Sequence, residues 1–227
     1  MPGVKKIDSG LDTSKVLDSI GRAAYVVLKP YGFKTHGRTL HRFVCEDISQ
    51  VIHFQLGQSY RGETHLLFVN IGIRIPECMT RRFTAEEPIK KYYHEYECNM
   101  RSRLGKIEGK EASCYDLRQP VDSIIEDILR QIQTLVIPAF ETLNSREAIL
   151  AHRRDYPLFD LMNNHLIILE EAMMYGRQGN LEKAAETFNL YYHLFGSAKL
   201  AQKNLGAIQN HLQYLDRLAA ELGIDLN

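Results

Sequence analysis

Apolar residues recur with two different periods along the first part of this chain. Spacings of three and four predict an amphipathic helix over 13–30, which Thr13 or Ser14 caps and Pro30 ends. Runs rich in Val, Ile, Leu and Phe then predict strands over 38–46, 51–56 and 65–74. Because the links between these runs are short and polar, they favour an antiparallel meander.

Downstream of the meander, the pattern becomes mainly helical. A helix is predicted over 86–97, and two short strands over 99–107 and 113–117. Pro120 opens the clearest apolar stripe, centred on Ile128, and Pro138 is expected to kink or break that helix. Ser145 caps the next helix. Further helices are predicted over 162–175, 181–194 and 198–222.

These elements predict an α+β fold. We expect an antiparallel β-meander of four to five strands packed with helices, followed by a C-terminal helical hairpin and a final helix. Pro157 marks the predicted boundary between an α+β domain over 1–156 and a C-terminal helical subdomain over 157–227.

Composition excludes several classes of protein. The 227 residues carry 28 Lys+Arg and 28 Asp+Glu, so net charge provides no attraction to nucleic acid or to an acidic membrane. No apolar run approaches the ~20 residues that span a bilayer, and no apolar segment follows the N-terminal lysines as in a secretory signal. The four cysteines form no CxxC pair. Reduced thiols in a cytoplasmic protein are the better interpretation.

Polar side chains interrupt the apolar strands between Val51 and Ile75. We place the centre of the first hairpin near residue 48 and that of the second near residue 60. His41, Gln55 and His65 then form a row across three strands on one sheet face, and His53 lies one cross-strand pair further along that face. Such a row can ligate a metal, line a pocket for a small polar molecule, or be satisfied structurally, and the structural interpretation is favoured. A register slip of one residue would exchange the faces of a strand.

Arg42, Asn70 and Arg103 are a second candidate group. Arginine and asparagine on a sheet can bind a carboxylate or phosphate through paired hydrogen bonds. The alternative, which we favour, is that Arg42 pairs with Glu46 or Glu63 at the sheet edge and Asn70 satisfies a bulge.

Motifs typical of enzymes and cofactor sites are absent from the sequence. It contains no GxSxG elbow, P-loop, GxGxxG or HExxH. The tyrosines at 92, 93 and 96 are expected to pack a helix rather than to form a base-stacking platform.

Several blocks resemble a bacterial domain-of-unknown-function family, numbered 4304. The blocks are Lys29-Pro-Tyr-Gly-Phe-Lys34, Gly37-Arg-Thr-Leu-His-Arg42, Ile52-His-Phe-Gln55, Val69-Asn-Ile-Gly-Ile73, Arg103-Leu-Gly105 and Tyr115-Asp-Leu117. The family often has tryptophan where this chain has Cys114. The resemblance covers about 13–145 and implies a fold unit and a bacterial cytoplasmic setting, but no activity.

The segment 175–188 is similar to the inter-helix turn of a tetratricopeptide-type repeat. Only one such unit is present, within about 162–195, whereas a solenoid needs about three. A helical hairpin packed on the domain is therefore the favoured interpretation.

Three functional hypotheses follow. The leading one is a non-enzymatic bacterial binding protein that contacts a protein partner through its C-terminal helices. The second is a small-molecule or anion-binding domain that uses Arg42, Gln55, Asn70 and Arg103. The third is a metal-dependent enzyme that uses the histidine row. No cofactor, nucleic acid or membrane is expected as a partner.

Overall fold

The computed structural model describes residues 12–58, 64–80, 89–107, 114–156, 159, 166–196 and 205–223. Helix α1, Thr13–Leu28, begins as predicted, but Asp12 caps it by accepting a hydrogen bond from the Lys15 backbone N–H at 3.2 Å. Pro30 lies inside a following 3₁₀ turn, Lys29–Tyr31, rather than at a helix end.

The sheet is an antiparallel meander extended at both ends. Its strands are β1 Lys34–His36, β2 Thr39–Val44, β3 Ile48–Gln58, β4 Thr64–Arg74, β5 Met100–Arg103 and β6 Tyr115–Asp116. They run in the order β1-β2-β3-β4-β5, and β6 pairs with another part of β4. The predicted α+β class is confirmed. The sequence pattern missed β1, and the strands expected over 99–107 and 113–117 are shorter than predicted.

Two short helices that the sequence pattern did not predict come first, the second of them inside the strand expected over 99–107, and the later helices follow the predicted order. In chain order these helices are α2 Pro76–Thr80, α3 Leu104–Ile107, α4 Val121–Gln131, α5 Ile137–Thr142, α6 Arg146–His152, α7 Ile167–Arg177, α8 Leu181–Tyr191 and α9 Leu205–Leu222. Pro138 does not break its helix, because the wider π-helical turn Ile132–Val136 precedes it and accommodates the proline ring. Ser145 caps α6 as predicted, by accepting from the Ala148 N–H at 3.1 Å.

The helix predicted over 86–97 is wrong where the structure describes it. Residues 89–94 have no regular structure, and only Glu95–Glu97 form a 3₁₀ turn. A helix would place Tyr93 and Tyr96, which are three residues apart, on the same face, but Tyr93 is buried whereas Tyr96 is exposed. The irregular backbone allows the two rings to have different surroundings, and its 3₁₀ turn contacts β3 and β4.

The main core lies between one sheet face and the helices. Strands β3 and β4 contribute Ile52, Phe54, Leu67, Val69 and Ile71, all buried. Helices α1 and α4 pack against this apolar layer, and Ile128 is fully buried at the centre of the predicted stripe. Burial of these side chains is the main source of the fold's stability.

Strand register differs from the threading that the sequence suggested. The turn Cys45–Asp47 places β3 earlier than expected, so His41 lies opposite Val51 and not opposite Gln55. In the next hairpin Gln55 lies opposite Phe68 rather than His65, and the pairing shifts between Gly57 and Gln58. Because the β3–β4 register is offset by an odd number of residues, every side chain of β4 lies on the opposite face from the predicted one.

The C-terminal helices begin with the predicted hairpin, α7 and α8, joined through Gly179 at φ +76°. Before this hairpin, the Arg146 guanidinium joins α6 to the β2–β3 turn and to α2, donating to Asp47 at 2.8 and 3.0 Å and to Glu77 at 2.7 and 2.8 Å. Pro157 lies outside the described residues, so the boundary between 1–156 and 157–227 stays a prediction. Within the described ranges, no helix has both the length and the hydropathy needed to cross a bilayer.

Candidate functional site

A chain of polar side chains crosses three neighbouring strands on the sheet face opposite the main core. The Asn70 amide donates to Gln55 Oε1 at 2.9 Å, and Arg103 Nε donates to Asn70 Oδ1 at 3.0 Å. Asn70 lies directly between His53 on β3 and Arg103 on β5 in the sheet register. The structure therefore brings together three of the four residues of the predicted anion site.

Two arginines lie on this face of the edge strand β5. Arg103 is stacked on Phe68, with Cζ 4.5 Å from the ring centroid. Arg101 lies two residues earlier, opposite Gly72, and so shares the face. Neither guanidinium has a carboxylate partner among the described residues, whereas most other buried or half-buried arginines here are ion-paired. This part of the sheet is therefore cationic.

His41 and His53 lie further along the same face. His53 Nδ1 and the Thr39 hydroxyl share a hydrogen bond of 2.9 Å. His41 is only 6% exposed, and its Nδ1 has no hydrogen-bond partner among the described residues.

The pKa of each of these imidazoles lies below its ordinary value. For both, burial is the largest cause, because it disfavours the charged ring. Lys34 and His36 add electrostatic repulsion at His41, and His94 and Arg38 add it at His53. Both rings are therefore neutral at pH 7.

An aromatic ladder, formed by Tyr92, His94 and Tyr96, lies over this polar face. The Tyr92 ring stacks on His36 with centroids 3.6 Å apart, and His94 stacks on Tyr96 at 5.1 Å and 11°. His94 also meets the His53 ring edge-on at 6.3 Å. The ladder thus gives the polar sheet face an aromatic wall.

The other predicted site residues lie elsewhere. His65 is on the core-side face of β4, where its Nε2 lies 3.9 Å from Asp116 Oδ1. The predicted histidine row does not form, because His41 lies opposite Val51 and His65 is on the other face.

Arg42 also points away from the polar face. Its guanidinium donates to Gln50 Oε1 at 2.7 Å, to the Tyr31 carbonyl at 2.8 Å and to Glu141 Oε1 at 2.6 Å. These contacts join β2 to α5. Its acid partner is Glu141 rather than the predicted Glu46, and the other predicted partner, Glu63, lies outside the described residues. Arg42 therefore has a structural role.

A family model matches the part of the chain that carries these residues. The family model described as "Domain of unknown function (DUF4304)" matches residues 25–142, which is more than half of the chain. The chain belongs to the DUF4304 family. The DUF4304 region contains His41, His53, Gln55, Asn70, Arg101 and Arg103, and it ends before α6. No curated protein and no solved structure matches the chain.

The residues that the sequence analysis missed in the DUF4304 region are Arg101 and the aromatic ladder. The ladder rings alternate along the chain at 92, 94 and 96, which is an extended-chain period. That alternation was the available signal, but the nearby 3.6-residue spacing of Ile89, Tyr92, Tyr93 and Tyr96 favoured a helix.

In the described part of the DUF4304 chain, the metal-ligating types of side chain and the two buried thiols are the remaining features. This part of the chain contains no group of three or more His, Cys, Asp or Glu side chains arranged to hold a metal ion. Cys78 and Cys98 are buried, and burial raises the pKa of both thiols. Both are therefore protonated at pH 7.

Proposed function

We propose that this chain binds a small anion on the sheet face that carries Arg101 and Arg103. The observation that carries the proposal is the fixed orientation of the Arg103 guanidinium. Its Nε donates a hydrogen bond to Asn70, and its Cζ lies over the Phe68 ring. Its terminal nitrogens contact no carboxylate among the described residues. A guanidinium fixed in this way has two N–H groups ready for a carboxylate or phosphate.

Preorganisation makes the arrangement suited to binding. Gln55 holds Asn70, and Asn70 holds Arg103, so little side-chain entropy is lost when an anion docks. An anion would also offset the repulsion between the two neighbouring arginines.

The test is titration calorimetry with inorganic phosphate and with acetate at low ionic strength. Arg103→Gln is expected to weaken binding about tenfold or more, since it removes charge-assisted hydrogen bonds. Asn70→Ala should weaken binding less, because it frees the guanidinium without removing it. The matched control is Arg22→Gln, which removes one exposed charge from α1. Equal affinity in the wild type and Arg103→Gln would refute the proposal.

A second candidate is interaction with a protein through the C-terminal helices. Leu190 and Leu194 are 51% and 52% exposed. They lie four residues apart, at the end of α8 and in the π-helical turn Tyr192–Gly196 that follows it. Exposed apolar pairs with this spacing suit docking of another helix. Pull-down from a native lysate should recover a partner with wild type and lose it with Leu190→Lys/Leu194→Lys. The same recovery from both proteins would count against this surface.

We also propose that the protein works in a reducing bacterial cytoplasm. The support is that Cys45, Cys78, Cys98 and Cys114 are all free thiols.

A further inference from the structure

A cavity of about 260 Å³ opens beside Arg101, between the aromatic ladder and α7. Its lining includes Tyr96, Asn99 and Arg101 on one side and Leu169 and Met173 of α7 on the other. This combination of apolar wall, aromatic ring and cation is typical of a small-molecule site.

Tyr96 supplies a prepared stacking surface. The side chain is 63% exposed, yet its ring is held nearly parallel to the His94 ring at 5.1 Å. Exposed tyrosine with a fixed ring plane offers contact area at a low entropy cost. No other part of the described cavity lining provides a comparably exposed aromatic ring.

Arg101 supplies the charge. It is half-buried and has no carboxylate partner among the described residues. The carboxylate that also lines the cavity, Glu170, is paired with Arg153 at 2.5 Å. The acid is thus neutralised by its own partner, and the uncompensated charge of the described lining is positive.

We propose that the cavity binds an aromatic anion, with its ring stacked on Tyr96 and its phosphate or carboxylate on Arg101. The inference rests on the proposed anion binding, because Arg101 and Arg103 share one face of β5. It adds a ligand class, a planar ring that carries an acidic group. The volume of about 260 Å³ is below the range of about 300–1,000 Å³ typical of pockets for drug-sized ligands, so it suits a smaller molecule, a single ring with one such group.

The experiment compares phenyl phosphate with inorganic phosphate by titration calorimetry. Stacking on an aromatic side chain should make phenyl phosphate bind at least about fivefold more tightly. Tyr96→Leu should abolish this preference and leave inorganic phosphate unchanged, whereas Arg101→Gln should weaken both. Because Tyr96 is exposed, leucine there should leave the thermal unfolding midpoint unchanged. A parallel comparison of benzoate with acetate shows whether the acid is a carboxylate.

Two outcomes overturn the inference. One is equal affinity for phenyl phosphate and inorganic phosphate, and the other is a preference that persists in Tyr96→Leu. In both cases phosphate binding that still depends on Arg103 would leave the proposed function standing. If neither probe binds, both proposals fail.

Discussion

Replacing Gly72 with alanine tests the contact that holds the segment 89–98 on the sheet. A Cβ at Gly72 would lie 2.8 Å from both Cβ and Sγ of Cys98, and 3.3 Å from the carbonyl oxygen of Met100. The two distances of 2.8 Å to Cys98 are roughly 0.6 Å shorter than the 3.4 Å at which ordinary van der Waals contacts begin. Cβ of Cys98 is fixed to its backbone, so rotation of the side chain cannot relieve the clash.

The expected cost follows from this forced displacement. Overpacking a closely packed site typically costs about 1–3 kcal/mol, and Cys98 is buried where the segment meets β4. Urea denaturation should therefore give Gly72→Ala a free energy of unfolding about 1–3 kcal/mol below that of the wild type.

The matched control is Gly21→Ala in α1, where an added Cβ meets no atom within 4 Å. Alanine has the higher helix propensity, so this variant should be more stable by about 0.5–1 kcal/mol. A Gly72→Ala protein as stable as the wild type, or two variants that behave alike, would show that the segment is not packed against Gly72.

Three further predictions concern the core, a buried ion pair and pH. Ile128→Ala should lower the free energy of unfolding by about 2–5 kcal/mol in urea denaturation, since Ile128 is fully buried; a much smaller loss would mean that α4 packs loosely. Arg146→Met should cost about 3–5 kcal/mol in the same assay, because it removes the guanidinium that pairs with two largely buried carboxylates, whereas Arg118→Gln at an exposed pair should cost about 0–1 kcal/mol; similar losses would contradict this ranking. The pKa values of His41 and His53 lie below 6.5 in the fold, so the unfolded chain binds their protons more readily, and stability should fall as the pH drops below about 6.5. Unfolding at about pH 7.5 and 5.5 should show a smaller loss for His41→Gln/His53→Gln than for the wild type, and an equal or larger loss would refute the assignment.

The elements that the sequence predicted well are those encoded in neighbouring residues. The meander, the Ser145 cap and the burial of Ile128 all depend on local periodicity or on one side chain beside a helix start. Such signals survive in the fold because packing strengthens them.

Register depended on details that the local pattern does not specify. Cys45 adopts φ +52° in the β2–β3 turn. A pairing irregularity at Gly57 and Gln58 accompanies the β3–β4 register, which differs from the predicted one by an odd number of residues. Asn70 consequently joins Gln55 and Arg103 on the polar face, and His65 moves to the other one. The sequence therefore named Gln55, Asn70 and Arg103 of the candidate anion site, but it missed Arg101 and wrongly grouped Arg42 with them.

The sequence alone determined the α+β class, the order of most elements and the polar residues available for a site. Only the tertiary structure decided that Arg42 pairs with Glu141 and that Arg103 is hydrogen-bonded to Asn70. It also decided that Tyr96 and Arg101 line the same cavity. The physical reason is that amphipathic patterns fix which side of an element is buried against the core, whereas partners distant in sequence are chosen by strand register and by what packs on the second face of the sheet.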